Sequence, residues 1–562
     1  MLTRRDFLQV TAATAALLGT GVNLARAASN QAITQDDLLK FNSVGQVTLL
    51  NFTDIHAQLM PLYFREPSVN LGVGEVYGLP PHLTGKDFLK KFDLMAGTAD
   101  AYAFSSVDFS HLAGEYGRIG GLAHMATLIK AVRAQREPNT LLIDCGDTWQ
   151  GSYTSLATRG EDMVDAMNAL GVDVMVPHWE FTYGAERVQE LISKLNFPFL
   201  AGNVIDNQWQ EKVFDSTAHF ERGGVKIAVI GQAFPYTPVA NPRYMIPDWS
   251  FGIRDEMVQA SVDKARAEGA ELVVLASHNG FDVDRKLASR VNGIDVILTG
   301  HTHDAIPGVI TVGNTLLVAT GSHGKFLGRL DLDVQNGKVK NYNYKLMPIF
   351  SDVIKPDAEI QAVVDAIRAP HQKIIGEKLG TTESLLYRRG NFNGTFDDLI
   401  CNAIMEERET QISLSPGFRW GASLIPGQDI TMDDIYTQTA ITYPNVYRSE
   451  MTGETIKLIL EDVADNLFNP DPYYQQGGDM VRVGGMGYRI DIQKSIGSRI
   501  SEMTLLSTGE AIDASKTYTV GGWASVNEGT EGPPIYDLLA DHIRKKKVID
   551  VQPNTNIKVV GA

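Results

Sequence analysis

From about Val47 to Val334 the chain alternates two kinds of segment, and that alternation leaves few folds open to it. Short apolar runs rich in β-branched residues ("VTLLNFTD", "TLLIDCGD", "VDVMVPH", "KIAVIGQ", "ELVVLASHNG", "IDVILTGHTH") lie between "GGLAHMATLIKAVRAQ", "EDMVDAMNALG" and "EMVQASVDKARAEG". The latter have the apolar spacing of amphipathic helices, with glycine near their ends. The pattern predicts an α/β layered domain. Every polar cluster of interest comes directly after the apolar end of a run, where open α/β sheets keep their sites. Between Ser351 and Lys378 the pattern changes, and "KPDAEIQAVVDAIRAPHQKIIG" reads as one helical linker interrupted near Pro370. A second region, about 379–562, starts with a helix ("DDLICNAIMEE") and continues with mixed α and β segments to "TNIKVV". Two or more domains are expected, because 562 residues are too many for one hydrophobic core.

The first residues stand apart from that fold. Arg4 and Arg5 precede Phe7 and Leu8, a weakly apolar run follows from Val10 to Val22, and "ARA" ends at Ala27. A charged start, a short apolar core and a small-x-small cleavage site make a secretory signal, and the paired arginines make it a twin-arginine one. The expected location is the periplasm, with a soluble protein after cleavage, since no later run approaches the length of a membrane span. Twin-arginine export carries folded proteins, which suits a metal loaded in the cytoplasm before competing periplasmic metals reach the ligands. Formal charge is −17, and removing residues 1–27 takes away three arginines and one aspartate, which leaves −19. So acidic a body argues against nucleic acid and anionic membrane surfaces as partners. Two cysteines make no disulfide framework; Cys145 and Cys401 read as buried core thiols.

Five strand ends supply the chemistry: "TDIHAQ" with Asp54 and His56, "CGDTWQG" with Asp147, "PHWEF" with His178, "SHNG" with His278, and "GHTH" with His301 and His303. A lone histidine at a strand end is more often hydrogen-bonded scaffold than ligand. The D-x-H and H-x-H spacings say more, because alternate strand-end residues point the same way. Seven such side chains at five successive termini are hard to explain as solvated surface. Carboxylates mixed with imidazoles suit a pair of divalent ions, one carboxylate bridging them in a hydrolytic site.

In this order the motifs resemble those of the calcineurin-like dimetal phosphoesterases, and more closely the 5′-nucleotidases, which carry a separate C-terminal substrate domain. The resemblance implies an N-terminal metallophosphoesterase β-sandwich flanked by helices, followed by a nucleotidase-like α/β domain. Its boundaries here are a signal at 1–27, a dimetal catalytic domain at 28–350, a helical linker at 351–378 and a substrate domain at 379–562. By position, Asp54, His56 and His303 hold one metal, His278 and His301 the other; Asp147 bridges and His178 completes the second site. The nucleotidase block Gly-Asn-His-Glu-Phe-Asp-Asn-Gly contains a ligand Asn and a His–Asp dyad that assists phosphoryl transfer. In "PHWEFTYG" the ligand position is His178, while Trp179 and Thr182 replace the dyad. A proton donor matters most when the leaving group is an alkoxide. A sulfur leaving group needs little help, so the joint loss points to a dimetal hydrolase whose leaving group is sulfur.

A narrower resemblance agrees: "TDIHAQLMPLYFREPSVNLGVG", "PHWEFTYG" and "QQGGDMVRVGGMGY" are similar to the thiosulfohydrolases of the periplasmic sulfur-oxidising (Sox) system. Pro177 departs from the glycine expected before His178, and proline restricts both itself and Val176. The resemblance implies release of sulfate from a sulfonate or thiosulfonate borne on a cysteine of a SoxYZ-like carrier protein, by metal-activated water. It suggests manganese, while the donors also suit zinc and iron, and a monomer is expected. The alternative is a 5′-nucleotidase or cyclic nucleotide phosphodiesterase of the same fold. His178 and Arg419 are the candidate catalytic residues, and Arg388, Arg389, Arg419 and Trp179 the candidate substrate contacts. "YRRGNFNG" and "SPGFRWG" set those arginines in glycine-rich turns, where Arg388 and Arg389 read equally well as exposed loop residues. About sixty residues between "TDIHAQ" and "GRIGG" carry no periodic signal and form either a docking or channel loop or a plain insertion. Tyr473 and Tyr474 offer an aromatic pair of the kind that clamps a base, a feature equally common in ordinary loops.

Overall fold

The computed structural model describes residues 33–561, so the signal at 1–27 lies outside the described residues. Three strands, β1 (Val47–Phe52), β2 (Thr140–Asp144) and β3 (Val174–Met175), begin one sheet. The chain then builds a second from β4 (Thr217–Arg222), β5 (Val225–Gln232), β6 (Leu272–Ser277), β7 (Val296–Thr299), β8 (Ile310–Val312) and β9 (Thr315–Ala319). It returns to the first with β10 (Phe326–Gln335) and β11 (Lys338–Pro348). The spatial orders are β11-β10-β1-β2-β3 and β8-β9-β7-β6-β5-β4. Strands β1, β2 and β3 run parallel, as do β5, β6, β7 and β9.

Strand parity explains why the runs are apolar throughout. One parity of β1 and β2 (Val47, Leu49, Leu141, Ile143) meets the second sheet at Val229, Val274 and Leu298. The other parity faces outward. Leu50, Phe52 and Leu142 pack with Ile129 and Met163 of the helices Leu122–Arg136 and Glu161–Leu170. Ile230, Leu275 and Ile297 pack with Val262 and Leu287 of Asp255–Ala267 and Phe281–Arg290. Helices thus cover both outer faces of a two-sheet sandwich, and strands buried on both sides carry no polar parity. Among the described residues no helix is long and apolar enough to cross a membrane.

The segment after Ser351 is helical at Ala358–Arg368, tightens to a 3₁₀ turn at Ala369–His371 around Pro370, and resumes at Gln372–Ile375. It is no free tether: Ile360 and Val364 are buried in the same core as the helix Leu122–Arg136. Beyond it, strands Ile412–Ser415, Tyr447–Thr452, Arg482–Gly484 and Thr517–Gly522 form a mixed sheet. The helix Thr395–Arg408 packs on that sheet and buries Cys401, as Cys145 is buried just past β2.

The long connection after His56 corrects its sequence reading. It holds helices at Gly85–Lys91, Ala99–Phe104 and Phe109–Tyr116 that bury Phe88, Tyr102, Phe104, Phe109 and Leu112. Helices of six to eight residues are too short for a 3.6-residue period to stand out. Its first part reaches the second region instead of open solvent. Tyr63 bridges to Ser423, the Asn391 amide donates to the Val69 carbonyl, and the Leu71 amide donates to Asn391 Oδ1.

Leu298 lies wholly between the sheets, one residue from the end of β7. Leu298→Ala should cost about 2–5 kcal/mol through lost burial and a residual cavity. It should lower the urea midpoint of the first domain, measured on metal-loaded protein; an unchanged midpoint would mean that the inter-sheet core is not as described.

Candidate dimetal site

At the carboxyl ends of β1, β2, β6 and β7, and just past β3, the chain turns sharply. Asp54, His56, Asp147, His301 and His303 all adopt positive φ, between 50° and 76°. That region is sparsely used by residues with a Cβ, and Asp and His tolerate it better than most. Each instance costs of order 1–3 kcal/mol and persists only when surrounding bonds over-determine it. Here they do. The Asp54 amide donates to the Gly146 carbonyl, His56 to Asp147 and Ala57 to Thr148, so the β1 and β2 loops stay zipped beyond the strands. Gly300 must lack a side chain, since a Cβ there would sit 2.3 Å from Thr53 Oγ1 and 2.9 Å from His278 Nδ1.

The seven sequence-derived ligands converge into two overlapping groups. Asp54, His56, Asp147 and His303 form one, and Asp147, His178, His278 and His301 the other, with ligand atoms in each within 4.8 Å of one another. Asp147 belongs to both. Its Oδ1 accepts from the Trp179 amide at 2.8 Å, while Oδ2 lies 2.9 Å from His178 Nδ1, 3.1 Å from His278 Nε2 and 4.0 Å from His56 Nε2. Asp54 Oδ2 accepts from Thr53 Oγ1 and the His301 amide. That leaves Oδ1, 3.1 Å from His303 Nε2 and 3.5 Å from His278 Nε2, with no hydrogen-bond donor.

Two buried carboxylates and one backbone amide absent from the sequence reading hold these loops. Glu180 Oε1 accepts from the amides of Thr148 and Trp149, and Oε2 from that of His178, so one carboxylate joins the two loops. Asp284 accepts from Ser277, Asn279 and Thr299, tying the ends of β6 and β7 next to their ligands. His323 donates its amide to the Asp54 carbonyl. Glu180 does stand in the motif block, but its role needs a partner loop some thirty residues away, for which no local signal exists. With Pro177 before it, His178 still packs against Phe234 at a tilt and faces Asp147, and the Pro177 carbonyl accepts from the Phe234 amide.

The charge balance favours cations. Burial pushes Asp54 above its ordinary range. Although burial works the other way, His178 and His278 hold Asp147 well below the usual carboxylate range. His278, again against burial, is lifted to about 10 by Asp54 and Asp147. Burial, reinforced by neighbouring imidazoles, drives His301 and His303 well down, which keeps their lone pairs free. An unpartnered Asp54 oxygen, a shared Asp147 and neutral imidazoles are donors that fit two divalent ions of borderline hardness.

A cavity of about 850 Å³ opens onto this cluster between the two regions, lined by His56, Asp147, His178, His301 and His303. Its walls carry Trp179, Phe234, Phe418, Trp420, Tyr443 and Trp523. Phe418 and Trp420 stack on each other at 4.1 Å and 20°, and Trp179 meets both edge-on. Thr182 Oγ1 donates to the Trp179 carbonyl. Of the candidate arginines only Arg419 lines the cavity, where it also donates to the carbonyls of Thr302 and Gly478. Arg388 is corrected: it is fully buried and spends its fork on Asp397 and the carbonyls of Gln438 and Pro416, out of a substrate's reach. Arg389 is turned behind the ligand loop to the carbonyls of Thr302 and His303. Tyr473 and Tyr474 do not line the cavity; Tyr473 lies under Lys286, and Tyr474 is exposed.

Comparison with known proteins follows the same division. Residues 378–541 match the family model of the 5′-nucleotidase C-terminal domain. The bovine (Bos taurus) 5′-nucleotidase is 24% identical over 434 residues, 69% of this chain and 73% of its own. Among solved structures, the sulfate thiohydrolase SoxB of Thermus thermophilus in complex with glycerol superposes with a TM-score of 0.90. It is 38% identical, over 93% of this chain and 98% of that one. A 5′-nucleotidase precursor, also from Thermus thermophilus, has a TM-score of 0.72 at 21% identity, covering 92% of this chain and all of its own, a likeness of fold.

His278 holds a proton below about pH 10, and an entering ion must displace it. Metal affinity should therefore rise between pH 6 and pH 8, by roughly tenfold per unit for each proton displaced. Calorimetric titration in buffers of different ionisation enthalpy measures the release; binding without proton release would contradict the charge state described. Asp147→Asn should weaken both ions together.

Proposed function

We propose that this chain, which belongs to the family of the sulfate thiohydrolase SoxB, is a periplasmic dimetal hydrolase that releases sulfate from a sulfonate or thiosulfonate on a carrier-protein cysteine. The observation that carries this reading is a full dimetal donor set beside two positions, Trp179 and Thr182, with no side chain able to pass a proton to an alkoxide. The reaction is R–S–SO₃⁻ + H₂O → R–SH + SO₄²⁻ + H⁺. A water oxygen bonds to the sulfonate sulfur, the S–S bond breaks, and its electron pair leaves on the carrier sulfur. No oxidant is consumed. An ordinary thiol has a pKa of about 8.5, so the thiolate or persulfide departs unaided.

Asp54, His56, His303 and the shared Asp147 would hold one ion, and His178, His278, His301 and Asp147 the other. When bound, two divalent ions lower the pKa of water and draw charge from the sulfonate oxygens. Manganese is the metal we assign by family resemblance. The chain's residues do the rest. Arg419 lines the cavity with its terminal nitrogens held by the carbonyls of Thr302 and Gly478, which sets a fixed positive charge there for an anionic substrate. Trp179, Phe418 and Trp420 form an apolar wall that excludes water and offers polarisable contacts to a sulfur chain. The stacked Phe418–Trp420 pair leaves no slot between its rings for a purine, which weighs against the nucleotidase reading.

The partner is a carrier of the SoxYZ kind, whose cysteine arrives on an extended arm. Export by the twin-arginine route rests on Arg4 and Arg5. The catalytic unit is residues 28–350, joined through 351–378 to a substrate domain at 379–562.

The test is sulfate release from a carrier-type peptide bearing a cysteine S-sulfonate or S-thiosulfonate, with phosphate release from AMP followed on the same manganese-loaded protein. Sulfate without phosphate is expected. Phosphate without sulfate would mean that the dyad is dispensable and the leaving-group argument wrong. Trp179→Ala should raise KM for the peptide by about tenfold, near 1.4 kcal/mol of lost contact, while both metals stay bound.

A further inference from the structure

Four ligand imidazoles turn one ring nitrogen to the metal positions and the other to a backbone carbonyl. For two of them that carbonyl belongs to the same N-terminal region: His56 Nδ1 faces Gln150 O at 3.3 Å and His278 Nδ1 faces Cys145 O at 2.5 Å. The other two reach out of that region. His301 Nε2 faces the Gln476 carbonyl at 2.9 Å, and His303 Nδ1 faces the Arg419 carbonyl at 3.2 Å. Both acceptors lie in loops of the C-terminal region. His301 and His303 belong to different donor groups, so the region supplies one such acceptor to each metal position.

From this we infer that the C-terminal domain is a structural part of the dimetal centre: its Gln476 and Arg419 carbonyls orient one imidazole at each metal position, so metal retention and domain docking are one equilibrium. The inference rests on the ligand assignment proposed above. An N–H···O=C bond on the outer nitrogen fixes the tautomer and the ring plane and raises the basicity of the inner nitrogen; losing such a partner typically costs 10–100-fold in metal affinity. A carbonyl can only accept, so each contact selects the tautomer whose other nitrogen carries a lone pair toward the ions.

The loops bearing these carbonyls are held in place. Arg419 donates to Thr302 O, between the two histidines, and to Gly478 O, one residue past Gly477. Arg389 donates to Thr302 O and His303 O, and the Gly421 amide donates to His323 Nε2. Around the outside, Lys286 pairs with Asp471 at 2.5 Å, and Tyr236 donates its hydroxyl to the Tyr473 carbonyl. The approach to His301 is so close that Gly477, at φ +73°, could not carry a Cβ: the atom would lie 2.4 Å from His301 Nε2.

Coupling of this kind is reciprocal. Opening the domains must loosen the ions, and removing the ions must loosen the 475–479 loop. A turnover cycle that swings the domains apart would disturb both metals each time, so substrate reaches the ions by entering the cavity as a thin arm.

The test uses the full mature chain and manganese(II) as the probe. Gly477→Ala pushes a methyl group against the His301 ring without removing any ligand. In a competition series with a chelator, followed by metal analysis, it should release one of its two ions at about 10–100-fold lower chelator than the wild type and keep the other. A Gly477→Ala protein with wild-type circular dichroism that retains both ions equally would overturn the inference. The wild type gives a second reading that needs no variant. Manganese should slow amide hydrogen exchange at 475–479 as well as at 300–304; slowing confined to 300–304 would also overturn it. Neither readout involves substrate, so it stands or falls apart from the sulfate assay. A chain that takes up no manganese would remove the ligand assignment and this inference together.

Discussion

Asp147 serves two donor groups with one carboxylate, and much of the architecture follows from that demand. Its Oδ2 lies within 4.0 Å of three imidazoles drawn from three different loops. To bring those loops together, the chain needs strands whose carboxyl ends share an edge, which parallel segments within each sheet provide. It also needs the sheets stacked face to face, which the alternate burial of β1, β2, β6 and β7 provides. The left-handed backbone at five of the seven ligands is the local cost of turning each loop inward.

So many titratable groups cannot be buried without neighbours that set their charge and direction. Glu180 and Asp284 accept three hydrogen bonds each from the ligand loops, and burial pushes both up to about 6. They act as rigid acceptors behind the site. The long connection after His56, the Arg389 fork and the loop at Gln476 draw the second region into the same network. The cavity between the regions is thus framed by the contacts that frame the metal positions.

The same framework explains why two replaced residues say so much. With the donors assembled and Trp179 and Thr182 beside them, neither neighbouring side chain is an acid of ordinary strength, which is the basis of the leaving-group argument in the function proposed above. Trp179 is part of an aromatic set with Phe418, Trp420 and Tyr443 that belongs to both regions. A thiolate suits such a wall, since it leaves without a proton and is polarisable.

The sequence by itself determined the α/β layering, the seven candidate donors at strand ends and the interrupted helix near Pro370, because each is a local matter, while the sandwich and the missing dyad came from family resemblance. Period, strand ends and proline geometry are written in neighbouring residues, and side chains at alternate positions of a strand end share a direction. Only the tertiary structure decided that Arg388 is consumed by Asp397 while Arg419 reaches the cavity, though both sit in glycine-rich turns. It alone revealed the short helices after Gly85, the Phe418–Trp420 stack and the carbonyls behind His301 and His303. The helices are too short to show a period, and the side-chain contacts depend on how each loop is turned once the regions pack, while the carbonyls are backbone atoms that every residue carries, so no pattern in the chain marks them before it folds.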